Sequence, residues 1–115
     1  MVEKKISVSF FRNKNGKEPV KSWLKSLTSE EKKTIGEDIK TVEYGWPLGM
    51  PVCRKLEKEL YEVRSNLSAN KIARVIFCVI GENMILLHGF IKKTQKTPKQ
   101  DLDLARSRKK EIELR

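Results

Sequence analysis

A chain of 115 residues, 38% of them hydrophobic, has the material for one modest core spanning residues 1–115 without disulfide or metal support. Its 25 Lys+Arg against 15 Asp+Glu leave a formal net charge of +10, a field that attracts polyanions and suits a purely assembling role poorly. Two cysteines without a CxxC and a single histidine exclude a typical zinc site. No apolar run reaches membrane-spanning length and the MVEKKISVSF start lacks a signal-peptide core, so a cytoplasmic protein without membrane contact is expected.

Ile6, Val8 and Phe10 alternate with Ser7 and Ser9, the pattern of a half-buried strand. Asn13 to Gly16 supply turn chemistry, and Pro19 suits the first position of a helix carrying Val20, Trp23, Leu24 and Leu27 at helical spacing. Thr28 and Glu31 form a capping box for a second helix with Ile35, Ile39 and Val42 on one face, and Gly45 is expected in the left-handed C-terminal position. Trp46 to Pro51 reads as a loop. Leu60 to Arg64 is a strand with Glu62 and Arg64 on one face and Tyr61 and Val63 on the other. After a turn over Asn66 to Asn70, Ile72 to Ile80 is apolar on both faces, as in a central strand covered on each side. Gly81-Glu82-Asn83 turns the chain into the strand Met84 to Ile91. Thr97-Pro98-Lys99-Gln100 reads as a second capping box, with Pro98 first in a helix bearing a thin stripe of Leu102, Ala105 and Ile112. The order is strand, two helices, three antiparallel strands, helix: an α+β fold.

The charge is uneven. From Lys92 to Arg115 nine basic residues meet four acidic ones, so half of the net charge lies in this stretch, as a nucleic-acid footprint requires. There is no P-loop, dinucleotide fingerprint, GxSxG or HExxH, and no cofactor is expected. Cys78, inside an apolar run, and Cys53 read as buried, reduced thiols. His88, mid-strand in ILLHGF, reads first as a hydrogen-bonded core residue and second as a catalytic group. Glu62 beside Arg64 is a salt-bridged strand residue or, less simply, a general base. A cation within an apolar strand must snorkel, pair or enter a functional cleft. Arg64, Arg74 and the Lys92-Lys93 pair sit at strand ends that an antiparallel sheet can bring together, where they would suit a phosphate with developing charge. A structural role for the same cations stands beside that reading.

LYEVRSN, KIARVIFCVIG and NMILLHGFIKKTQKTPKQDLDLARSRKKE, with FFRNKNGKEPVKSWLKSL before them, resemble the HigB-like, phage-derived-protein-like branch of the RelE toxin superfamily over about Ile6 to Glu111. The resemblance implies a RelE-like microbial RNase fold: a twisted antiparallel sheet against two N-terminal helices, with a C-terminal helix. It implies a type II toxin that cleaves mRNA in the ribosomal 30S A site by 2′-hydroxyl attack on the adjacent phosphate, without metal. It also implies a cognate antitoxin, of helix-turn-helix type in this branch, through whose complex operator DNA is reached. Residue by residue, Arg64, Arg74 and Lys93 match the family's phosphate-facing cations. Ala73 stands where relatives carry an aromatic residue before the arginine, and no aromatic follows Lys93, so a base-stacking tyrosine is missing. Lys92, Lys96 and His88 are the remaining candidates for contact with RNA. The alternatives are a basic module that occupies RNA or the ribosome without cutting, and a protein that only assembles with a partner.

Overall fold

The chain runs through Ser7–Phe10 (β1), Pro19–Lys25 (α1), Ser29–Gly45 (α2), Cys53–Glu57 (β2), Leu60–Asn66 (β3), Ile72–Ile80 (β4), Asn83–Lys92 (β5) and Lys99–Glu113 (α3), with a 3₁₀ turn at Ser68–Asn70. The computed structural model describes residues 3–93 and 96–115; Thr94 and Gln95 of the TQKTP stretch lie outside these. The strands form one sheet in the order β1-β5-β4-β3-β2. Central β4 is covered on both sides as its composition predicts, with Ala73 through Cys78 all buried.

Two features depart from the sequence reading. The sheet is mixed, because β1 pairs parallel to β5, Ser7 with Asn83 through Phe10 with Leu86. Three turns between β2 and β5 fix those strands as antiparallel neighbours, while β1 reaches β5 only after the chain has crossed through both helices. The second departure is β2 itself, which lies in a segment too charged to read as a strand. It is an edge strand with Lys55 exposed, and charge on an edge discourages pairing with another chain. The turn into β3 places Glu59, not a glycine, at φ 63°.

The α1/α2 side of the sheet is apolar except at buried Glu43 of α2, whose Oε2 accepts from the Val8 N–H of β1. Val20, Ile35, Ile39 and Val42 from the helices meet Val63, Val75, Phe77, Met84 and Leu86 from the strands. Trp46, Tyr61 and Phe77 form an aromatic cluster with centroids 4.8 to 5.7 Å apart. Trp23 lies so close to β5 that a Cβ on Gly89 would sit 2.4 Å from its ring, so only glycine fits there. The Thr28 capping box forms as expected: the Glu31 N–H donates to Thr28 Oγ1 and the Thr28 N–H to Glu31 Oε1. Gly45 is not left-handed. It ends α2 directly before Trp46 (φ −54°, ψ 136°), and its missing side chain leaves room for Leu48, 3.0 Å from where a Cβ would be.

On the other side, α3 lies over Ile76, Cys78, Leu87 and Phe90 with Ala105 buried and Leu102 and Ile112 beside it. This is the thin stripe foreseen from the sequence. Polar contacts do much of the remaining work, and they converge at one end of the helix.

Candidate functional site

The alternation that buries Val63 and Val75 under α1 and α2 turns Glu62, Arg64 and Arg74 to the α3 face. Register then sets them in rows: Arg64 opposite Arg74 opposite Phe90, and Glu62 opposite Ile76 opposite His88. Arg54 on β2 stands across from Glu62. Two arginines directly opposite repel, and Glu62 offsets this from beside them. Its Oε1 lies 3.8 Å from Arg64 Nε, and the whole residue is buried. Arg74 is also fully buried. Burial pulls its pKa down, Glu62 pushes it up, and Arg64 and Arg54 pull it down again; a guanidinium keeps its charge through such shifts.

Both buried groups reach the segment that leads into α3. Arg74 Nη1 donates to the Lys96 carbonyl at 3.0 Å, and the Thr97 hydroxyl donates to Glu62 Oε2 at 2.8 Å. The capping box expected from Thr97 therefore does not form. Pro98 is the N-cap rather than the first helical residue, and it has no side-chain bond. A hydrogen bond to a buried charge is worth roughly 1.5–3 kcal/mol, against about 1 kcal/mol for a capping bond, so Thr97 serves Glu62.

The first turn of α3 makes a second set of contacts. Asp101 Oδ1 lies 2.7 Å from His88 Nε2, and Lys92 Nζ lies 3.4 Å from Asp101 Oδ2. The His88 ring stacks on Phe90 with centroids 5.5 Å apart, and the Arg74 guanidinium and the Lys92 ammonium lie 5.8 and 6.0 Å from the same Phe90 ring. His88 is thus hydrogen-bonded and partly buried, its side chain 15% exposed.

Arg64 and Arg74 therefore come together across Glu62, and Lys92 and His88 share their sheet face. Lys93 does not join them. It lies beyond the end of β5, exposed, in a shallow hollow with Asn66, Leu67, Asn70, Lys71 and Ile72. Arg64 borders the adjoining hollow with Thr34, Asp38 and Asn66, so Asn66 separates the two cations. Lys96 is exposed beside Lys99, Leu102 and Arg106.

Much of the C-terminal charge is used inside the molecule. Arg106 Nε donates to both carboxylate oxygens of Glu57 at 3.0 and 3.1 Å, Lys109 bridges Glu59 and Glu113, and Arg108 donates to the Leu87 carbonyl while facing the Phe11 ring. Burial lowers the pKa of Arg108. The sequence count of basic residues missed Glu57 and Glu59, which lie 49 and 50 positions upstream on the β2–β3 hairpin, and the Leu87 carbonyl on β5. Arg54 was missed with β2. The roles of Asp101 and Thr97 were hidden by a helix-start pattern that explained both locally.

Burial pushes the Cys53 and Cys78 thiols up to about 11, with Glu62 adding to the effect at Cys53, so neither is a ready nucleophile. Among the described residues no group of three or more His, Cys, Asp or Glu is placed to hold a metal ion, and no helix is long and apolar enough to cross a membrane. The arrangement is a cationic row supported by one buried carboxylate, with a histidine–aspartate pair at its side. Arg74 is enclosed, so in this row it is Arg64, its side chain 10% exposed, that has an open edge for a phosphodiester, while Arg74 adds positive potential from beneath.

No curated protein matches the chain at a significant level. Residues 22–110 match the family described as phage-derived protein Gp49-like (DUF891), which falls within the RelE-related, toxin–antitoxin-associated group, and with most of its length inside that match the chain belongs to this family.

Proposed function

We propose that the chain is the toxin of a type II toxin–antitoxin pair, of the HigB-like branch, and a metal-independent endoribonuclease that cuts mRNA in the 30S A site. The observation that carries this reading is the Arg64–Arg74 row, held at the α3 face by Glu62 in a chain of net charge +10. Arg64 holds the scissile phosphate on the side toward Glu62, and Lys93, in the hollow beyond Asn66, holds the backbone that leads away from it. Arg74 supports them from beneath, adding positive potential and fixing the Lys96 carbonyl. Lys92 and Lys96 meet the flanking RNA, and His88, read from the sequence as a further RNA contact, lies at the reacting ribose.

In the reaction a ribose 2′-oxygen attacks the adjacent phosphorus, the bond to the 5′-oxygen breaks, and a 2′,3′-cyclic phosphate and a 5′-hydroxyl result. Negative charge grows on the non-bridging oxygens, and removing a cation aimed at it costs on the order of 10²–10³ in rate. The partner is an antitoxin of helix-turn-helix type that covers the basic face, with operator DNA bound only through the complex. The setting is the cytoplasm, away from membranes.

Expression in a susceptible host tests this. The wild-type chain should arrest growth and create new mRNA 5′ ends, while Arg64→Gln, with an unchanged circular dichroism spectrum, should do neither. Absence of arrest overturns the toxin reading. One observation favours a second reading, a basic module that blocks the ribosome without cutting: Arg74 is fully enclosed and already engaged with Lys96. Arrest without new 5′ ends would decide for it.

A further inference from the structure

The arginines described above can hold a phosphodiester, but they cannot accept the 2′-hydroxyl proton at neutral pH, since a guanidinium does not deprotonate in proteins. The geometry points to His88 as the proton-transfer residue of that cleavage, with Asp101 as its positioning residue. This inference rests on the endoribonuclease reading and deepens it.

The case begins with the hydrogen bond. Asp101 Oδ1 lies 2.7 Å from His88 Nε2. A carboxylate oxygen accepts, so Nε2 carries the hydrogen and Nδ1 presents the lone pair. No partner holds Nδ1 among the described residues, and the side chain remains 15% open. A general base oriented by a carboxylate through its far nitrogen is the arrangement by which histidine serves acyl transfer on unrelated folds. Here the carboxylate comes from the first turn of α3 and the histidine from the centre of β5. Phe90 fixes the ring plane on its other side.

The position also suits the task. Phe90 carries the Arg74 guanidinium and the Lys92 ammonium within 6.0 Å of its ring, so positive charge, exposed at Lys92 and enclosed at Arg74, lies next to the imidazole. The charged groups around His88 are Asp101 from α3, Lys92 from its own strand, Arg74 from β4 behind Phe90, and Glu62 from β3 in its row across Ile76. Glu62 cannot take the role, because it is fully buried and accepts from Thr97.

In the step, His88 Nδ1 takes the proton from the 2′-hydroxyl as its oxygen bonds to phosphorus. The bond between phosphorus and the 5′-oxygen breaks, and the leaving oxygen is protonated from water. The imidazolium formed is stabilised by Asp101 and returns its proton to solvent. No oxidant, reductant or metal is needed.

The experiment is single-turnover cleavage of mRNA on programmed ribosomes from pH 5.5 to 9. The wild-type rate should rise with pH and level off. His88→Gln, which can still bond Asp101, should cut on the order of 10²–10³-fold more slowly and lose the acid limb. Asp101→Asn keeps the shape and removes the acceptor that sets the tautomer, so its rate should also fall and its pH profile should differ from that of the wild type. A purely structural pair would give variants that melt earlier yet cut with the wild-type rate and profile, and this result overturns the assignment while leaving the endoribonuclease reading intact. A wild-type chain that cuts no RNA under any of these conditions overturns both.

Discussion

The two faces of the sheet are built from different materials. Under α1 and α2 the contacts are apolar apart from one buried carboxylate at the edge, Glu43, which accepts from the Val8 N–H and pairs with Lys4, and three aromatic rings close one end. Under α3 a thin hydrophobic stripe is supplemented by buried Arg74 and Glu62, a histidine–aspartate bond and several ion pairs. Apolar burial gains about 25 cal/mol per Å² with no directional demand, whereas a buried ion pair often returns no more than the cost of desolvating it. Stability alone would not place Arg74 and Glu62 in the second core. The difference teaches that one face holds the fold together while the other keeps charge at fixed positions.

The comparison can be broken by substitution, and the apolar face should give the largest response. Phe77→Ala, which removes a ring packed on Tyr61 and Trp46, should cost about 3–5 kcal/mol in denaturant unfolding. Arg74→Met should follow at roughly 1–3 kcal/mol, because it removes the bond to the Lys96 carbonyl and a cation near Glu62, while Arg64 and Thr97 still hold that carboxylate. Adding Glu62→Gln to Arg74→Met should cost less than the sum of the two single changes, since the pair is coupled. Additive costs would show that the two charges ignore each other.

Smaller effects sharpen the contrast. Thr28→Ala removes one half of the α2 capping box and should cost about 1 kcal/mol, with no effect on RNA cleavage. Hydrogen bonds from Arg106 hold Glu57 below its ordinary value of 4.5. A depressed carboxylate contributes stability that is present above its unfolded pKa and lost as pH falls through the folded one. On acidification below 4.5, amide protection factors in α3, taken relative to the intrinsic exchange rate, should therefore fall, and Arg106→Gln should remove that pH dependence. Because the pair is exposed, global unfolding should hardly move.

These responses also explain what the sequence made legible. The core of the α1/α2 face followed from periodicity, since Val63, Val75, Ile35 and Ile39 recur at the spacing their elements require. The Thr28 cap followed from a four-residue pattern. Contacts joining distant segments were not legible: Thr97 to Glu62, Asp101 to His88 and Arg106 to Glu57 each depend on where α3 lands. The cations Arg64 and Arg74 could be singled out because charge in an apolar strand is anomalous. Their burial, and the departure of Lys93 to the neighbouring hollow, depended on strand register and on the turn after β5. β2 escaped notice because an edge strand needs little hydrophobicity.

The most direct measurement is an NMR titration of the labelled protein with a short RNA whose 2′-hydroxyls are methylated, so that it binds without being cut. The α3 face should respond: amide shifts are expected at Arg64, at His88 to Lys93 and at Lys96 to Asp101, with α1 silent and α2 responding only near Thr34 and Asp38, which border the Arg64 hollow. Shifts confined to the α1/α2 face, with the Arg64–Arg74 row unmoved, would contradict the division of labour between the two faces.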